Sequence, residues 1–405
     1  MEHQALLDKV DRQQCLGFLA QMVRHKSYSA TPGETELARF MVDRMVEIGL
    51  DARLHEVEPG RYQALGTLKG KGGGASLLFN GHLDTNPATE GWTVDPWGGL
   101  VDDKFIYGIG VSNMKSGDAA YYCAVKTLLD AGVRLRGDVV LTYVVGELQG
   151  GVGTVKAIED GVRADYFINS EPTDLQALTM HSGAFVFAIE LTGVTRHMSK
   201  REEAVDAIAA GCELVPLVNG ITFSGAANAE HGSVNRANIG VFRGALSPAF
   251  YDWRAPQVAD FVRLLGSARY APSQSEASVL ADLRLVLDDL EGRYPGLKAR
   301  VYKHDADEKP SMLPFEVSRE ARIVKTMNAA YERVRGEPQP TGAMPPPCFY
   351  GTDAAHFQHR LGMEGIVCGP GGRYNTMPDE RVDIPDYLDM IKIYMLAILD
   401  ICEPA

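Results

Sequence analysis

A histidine and three carboxylates stand where apolar runs give way to polar residues: His82 and Asp84 in GHLDT, Glu147 in GELQGG and Glu171 in NSEPT. A second histidine, His197, stands in RHMS. Imidazole and carboxylate groups move protons at neutral pH or hold divalent ions, so this set suits acid–base or metal chemistry. One such residue after a strand is usually a hydrogen-bonded loop residue. Several of them ending strands of one sheet carry more weight, because an open α/β sheet has its crevice at that edge.

Buried strands must position them. ASLLFNGHLD (75–84), GDVVLTYVVGE (137–147) and ADYFINSEPTD (164–174) each run apolar and finish polar, as strands covered on both faces do. Helical patterns are expected over 4–26, over 34–48 after the start signal Thr31-Pro32-Gly33-Glu34, and over 114–131. The middle of the chain reads strand (184–191), helix (202–217), strand (233–243), strand (257–268), helix (275–291), strand (298–304). That βαββαβ order matches a split, ferredoxin-like unit. Helices near 316–335, 353–361 and 384–402 then bracket one more apolar strand, GIVCGPG at 365–371. The expected fold is α/β, with an open mixed-sheet catalytic domain made of 1–181 plus 307–405. A ferredoxin-like domain, 182–306, is inserted into it.

Composition narrows the partners. The chain has 405 residues, 45 % of them hydrophobic, with 40 Lys and Arg against 53 Asp and Glu, a net charge of −13. An acidic surface repels phosphate backbones, so nucleic acid is not an expected partner. No apolar run approaches the roughly 20 residues that cross a bilayer, and MEHQALLDKVDRQQ lacks the apolar centre of a secretory leader. Six cysteines lie far apart without a CxxC pair, a pattern that suits a reduced, cytoplasmic protein. GKGGG (70–74) is not a phosphate loop, since no Gly-Lys-Ser/Thr precedes a helix there. The expectation is a cytoplasmic enzyme with a small-molecule substrate, no membrane partner and no nucleic acid.

The strings GHLDTNP (81–87), GWTVDPWGG (91–99), YGIGVSNMKSG (107–117), GELQGGVG (146–153), SEPT (170–173), GVTRHMS (193–199) and GPGGRYNTMPDERV (369–382) occur in that order. Their order and spacing resemble the co-catalytic zinc aminoacylase and carboxypeptidase family, which includes acetylornithine deacetylase, succinyl-diaminopimelate desuccinylase and glutamate-releasing carboxypeptidases. The resemblance spans nearly the whole chain. It implies that the inserted domain is a lid and that the protein is a homodimer through it. It also implies roles: His82 as a ligand of the first zinc, Asp84 orienting it, Glu147 as general base, Glu171 as a second ligand of the first zinc. His197 would be an oxyanion donor contributed by the partner subunit, and Arg269 would bind a substrate carboxylate. Trp253 stands near the place of a family asparagine, and the loops at Gly351-Thr352-Asp353 and Gly369-Pro370-Gly371 match backbone-rich loops of the family's cleft.

Three family ligand positions depart from the pattern. Asn113 replaces the bridging aspartate, Leu148 replaces a glutamate and Thr376 replaces a histidine. A paired-zinc site is therefore not expected, because too little negative charge is left to hold two divalent ions. Lys115 is expected either as a fixed charge near Asn113 or as a structural residue. The leading expectation is an enzyme without a cofactor that acts on a small amino-acid-derived carboxylate or amide. Glu147, Asp84 and His197 would be catalytic; His82, Asn113, Glu171, Arg269 and Thr376 would contact substrate. One alternative is an amidohydrolase or deacylase of N-acyl amino acids or peptides with a single weakly held zinc on His82, Glu171 and Asn113. Another is a non-catalytic, ligand-binding relative of the peptidases.

Overall fold

The computed structural model describes residues 2–252, 254–304 and 310–405. Trp253 and the expected boundary between 306 and 307 lie outside the described residues. The chain divides into two compact units. One is made of Met1–Met180, Phe315–Cys348 and Thr352–Ala405, the other of His181–Pro314 and Phe349–Gly351. The strands of the two large sheets are β1 (Asp51–Glu58), β2 (Arg61–Leu68), β3 (Leu77–His82), β4 (Val139–Val144), β5 (Tyr166–Asn169), β6 (Ala177–Leu178), β7 (Gly183–Thr192), β8 (Arg236–Ala245), β9 (Phe261–Tyr270), β10 (Lys298–Lys303), β11 (Thr341–Gly342) and β12 (Glu364–Val367).

The first unit is built on a mixed sheet in the order β1-β2-β4-β3-β5-β12-β6-β11. β1, β2 and β4 pair antiparallel, whereas β4, β3, β5 and β12 run parallel. Parallel strands end on the same edge, so the residues that follow β3, β4 and β5 are delivered to one place. All six residues of β3 are buried, as a central strand with both faces covered requires. Phe79, in its middle, lies 5.4 Å from the ring of Tyr121 and 5.1 Å from that of Tyr394. Those rings come from helices Ser116–Asp130 and Ile384–Cys402.

Local chemistry moves several boundaries from their expected places. The helix expected over 4–26 is two helices, Glu2–Leu7 and Arg12–Val23. Asp11 stays extended and its carboxylate accepts the N–H of Gln14 at 3.0 Å, capping the second. The next helix starts at Pro32, whose missing N–H costs nothing in a first turn. The helix expected from 114 begins at Ser116, because Asn113 and Met114 are non-helical within a separate turn, Val111–Lys115. β12 stops at Val367, short of the expected 371.

The second unit has its own antiparallel sheet in the order β8-β9-β7-β10. Helix Ala207–Asn219 follows β7 and helix Glu276–Arg293 follows β9. Phe187, Ile189, Leu214, Val262 and Leu283 are fully buried in the core of this unit. The first helix begins five residues later than expected because Asp206 accepts the N–H groups of Ile208 and Ala209 and fixes the start there. Among the described residues, no helix is long and apolar enough to cross a membrane.

Phe79→Ala removes the ring that locks β3 to both helices and leaves a cavity with little freedom to collapse. It should lower stability by about 3–5 kcal/mol, read by urea denaturation.

Candidate active site

β3 delivers His82, which is 2 % exposed. Its Nδ1 lies 2.8 Å from the backbone carbonyl oxygen of Asp84. A carbonyl only accepts, so Nδ1 carries the proton, and in the neutral ring Nε2 holds the lone pair. Nε2 has no hydrogen-bond partner among the described residues. It faces Glu171 Oε1 at 3.5 Å and Glu147 Oε2 at 3.9 Å. Gly81 permits a close approach here, since a Cβ at that position would sit 2.1 Å from Asp118 Oδ1.

Glu147 is not at the end of β4, which stops at Val144, but opens the short turn Glu147–Gln149. Gly146, Gly150 and Gly151 bracket this turn at φ values of 74°, 82° and 78°, a region that favours glycine. Asp84, fully buried, holds the turn by its main chain. Its carboxylate accepts the N–H groups of Gly146 at 2.9 Å and of Glu147 and Leu148 at 3.2 Å each. Arg61 props the other end, donating to Gln149 at 2.6 Å while its fork grips both oxygens of the buried Glu34 at 2.7 and 2.8 Å.

The electrostatics are those of too many carboxylates in too little water. Burial, then the charge of Glu171, raises Glu147 well above the usual carboxylate range. Burial pushes Glu171 up to about 7, although His82 pulls it back. Burial alone would lower His82, but Glu171, Asp84 and Glu147 outweigh it and raise the imidazole pKa well above normal. Asp84 goes the other way: burial opposes its charge, but His82 and the turn's N–H groups hold it below the ordinary value.

His82, Glu147 and Glu171 each offer a ligand atom, and these atoms lie within 4.8 Å of one another. Among the described residues this is the one such group of histidine, cysteine and carboxylate side chains. Two carboxylates balance one divalent charge, and the unpartnered Nε2 is the atom an imidazole presents to zinc. The residues therefore fit one ion. Glu147, expected as a base, stands inside the ligand group, and the Asn113 Oδ1 is buried with no hydrogen-bond partner among the described residues.

Asn113, Leu148 and Thr376 line one cavity of about 370 Å³ together with His82 and Asp84. Leu148 and Thr376 are exposed there, and Thr376 holds a φ of 54°. Lys115 turns away from the cluster. It is 1 % exposed, donates to the carbonyls of Met22 and His25, and is lowered by burial to about 7. It is a structural residue of the helix Arg12–Val23 junction.

Residues 78–400 match the sequence profile of peptidase family M20/M25/M40. The chain belongs to that family. As an M20-family chain it is an enzyme of the amidohydrolase and peptidase kind. It is 25 % identical to an N-formyl-4-amino-5-aminomethyl-2-methylpyrimidine deformylase of Bacillus subtilis over 376 residues, covering 88 % of this chain and 87 % of that one. It is 30 % identical to an acetylornithine deacetylase of Proteus mirabilis over 196 residues, 46 % of this chain and 50 % of the relative. The crystal structure of an aminopeptidase from Bacillus cereus has the same fold, with a TM-score of 0.77 at 17 % identity over 97 % of this chain and 99 % of that one.

Two expected site residues of this M20-family chain belong to the second unit. His197 is exposed and caps the turn Met198–Glu203 by accepting the N–H of Ser199. Arg269 donates to the carbonyl of Phe349 at 3.0 Å and to Ser267 at 2.7 Å. In the first unit, Asp353 is more than part of a backbone-rich loop. It is 1 % exposed, accepts from Thr154 at 2.7 Å, and its charge helps to raise Glu147 and Glu171. Asp118, beneath Gly81, and Arg61 are further residues that no strand-end signal marks.

Arg61→Ala leaves Glu34 buried without its partner and should cost about 3–5 kcal/mol in urea denaturation. Zinc binding at the cluster must displace protons from His82 and from a carboxyl raised to about 7. Calorimetric titration with zinc should therefore show proton release, with affinity falling as pH drops through 7.

Proposed function

We propose that this chain is an amide hydrolase that removes a short acyl group from a small amine derived from an amino acid or of similar size, at a centre holding one divalent ion. The observation that supports it most is His82 Nε2, a buried ring nitrogen without a hydrogen-bond partner among the described residues, facing two carboxylates. The names of the two relatives agree: one is a deformylase and the other a deacetylase.

In this reading His82 and Glu171 hold the ion, with Glu147 beside it; a place for Asn113 among the ligands rests on the sequence resemblance. A divalent ion there supplies Lewis acidity to the amide carbonyl and to water. Glu147 takes the proton of the attacking water as the new C–O bond forms. It returns that proton to the amine nitrogen as the C–N bond breaks, leaving a carboxylic acid and a free amine. A carboxylate beside the attacking water and the leaving nitrogen suits both halves of this transfer. Asp84 keeps Glu147 and His82 in register by holding the turn of one and the ring of the other.

The roles of His197 as oxyanion donor and of Arg269 as a carboxylate anchor rest on the sequence resemblance. So do the second unit as lid and dimerisation domain, the homodimer and the cytoplasmic setting. A second reading, acid–base chemistry by Glu147 without an ion, is favoured by Asn113, Leu148 and Thr376, which bring no charge to the cavity.

Hydrolysis of N-formyl and N-acetyl amines distinguishes the readings. EDTA should abolish turnover and one equivalent of zinc restore it, while Glu147→Gln should lower kcat by about 100- to 10,000-fold without unfolding the protein. Turnover that survives chelation but not Glu147→Gln would give the second reading. A ligand-binding role would follow if neither treatment mattered.

A further inference from the structure

Charge is unevenly placed in this chain. The four strands of the second unit's sheet hold seven lysines and arginines and a single carboxylate, Glu190, although the whole chain carries a net charge of −13. Glu190 is already balanced. Arg300 donates to it at 2.7 Å and Tyr302 at 3.0 Å, and the Arg263 guanidinium stands 3.3 Å away. Arg263 and Arg269 stand at opposite ends of β9, about 20 Å apart at the usual rise of a strand. The far end of the sheet is left without a counter-charge.

At that end β8 and β9 pair with Arg236 opposite Arg269 and Asn238 opposite Ser267. Ala237 and Ala268, which alternate with them, belong to the buried core, so these four polar side chains share the other face of the sheet. Like charges directly opposed across a ladder weaken it. These two also converge on one residue. Arg236 Cζ lies 3.5 Å from the ring centroid of Phe349, and Arg269 Nε donates to the carbonyl of Phe349 at 3.0 Å. Arg269 Nη1 donates to Ser267 and to the carbonyl of Ala268, leaving Nη2 open and without a partner among the described residues. Burial lowers the pKa of Arg269, and no carboxylate offsets this. Arg236 is exposed and Arg269 half-buried, so a solute reaches both.

Two guanidiniums need two negative charges, and a single carboxylate brings one. The neighbouring groups are donors. Ser267 accepts from Arg269, which keeps its own hydroxyl hydrogen available, and Asn238 presents an amide on the same face. Guanidinium forks match the oxygens of phosphate two at a time.

We propose that Arg236, Arg269, Asn238 and Ser267 form a binding site for a dianionic phosphoryl group. The sequence resemblance gives Arg269 alone, with a carboxylate; Arg236 beside it adds a charge that a carboxylate would leave over. The site lies wholly within the second unit and is independent of the amide-hydrolase reading.

Calorimetry on the whole protein at pH 8, in EDTA to keep phosphate from any metal ion, tests it with inorganic phosphate, phenyl phosphate and acetate. Phosphate should bind one to one, and acetate at least tenfold more weakly. Tighter binding of phenyl phosphate would mark a phosphoryl group carried on a larger molecule, and tighter binding of inorganic phosphate the free ion. Arg236→Gln, at an exposed position, should weaken phosphate at least tenfold, the loss of a charge-assisted contact, and leave acetate unchanged. Arg243→Gln, towards the other end of the same strand and also exposed, should change phosphate binding less than twofold. Acetate binding as tightly as phosphate, no phosphate binding, or indifference to Arg236→Gln would each overturn the site. So would equal losses from Arg236→Gln and Arg243→Gln, the mark of a diffuse field. Failure to hydrolyse N-acylated amines with these affinities intact would instead overturn the hydrolase reading and leave the phosphoryl site standing.

Discussion

The site depends on a single buried carboxylate. Asp84 uses its backbone carbonyl to fix the protonated nitrogen of His82 and its side chain to collect three consecutive N–H groups from the Glu147 turn. One residue thus sets both the direction of the imidazole lone pair and the position of the base. Charge-assisted bonds to three amides are strong in a dry environment, and after the His82 imidazole they help to hold Asp84 below its ordinary pKa although it is fully buried.

That arrangement has an electrostatic cost. Glu147, Glu171 and Asp353 share the same low-dielectric space with Asp84, and burial raises each of those three. Like charges so placed must be balanced, either by retained protons or by a cation. A divalent ion against His82 and two carboxylates does so in one step, which is why the geometry favours the single-ion reading over one that leaves the carboxylates to repel. Binding the ion and setting the proton affinity of Glu147 are for this reason one problem.

Much of this was legible in the amino-acid order. The three apolar runs that finish polar are β3, β4 and β5, and their parallel pairing brings His82, Glu147 and Glu171 together at one edge. Periodicity revealed less where a side chain overrides it. Asp11 breaks a continuous helical pattern by capping, and non-helical Asn113 and Met114 delay the helix that follows them. The pairing of Arg61 with Glu34 joins a strand to a helix, and each residue taken alone reads as ordinary surface charge. Asp353 hides for a similar reason: nothing in Gly351-Thr352-Asp353 distinguishes a carboxylate that turns inward from one that stays in solvent.

The way Asp84 grips the Glu147 turn has a consequence for how such a protein can change. It binds amides, which every residue except proline possesses, and so is indifferent to what position 148 displays. Leucine there occupies the wall of the cavity while the base beside it stays anchored. Selectivity and reactivity are therefore mechanically uncoupled across adjacent residues, and the scaffold can acquire new ligands one side chain at a time without retuning its chemistry.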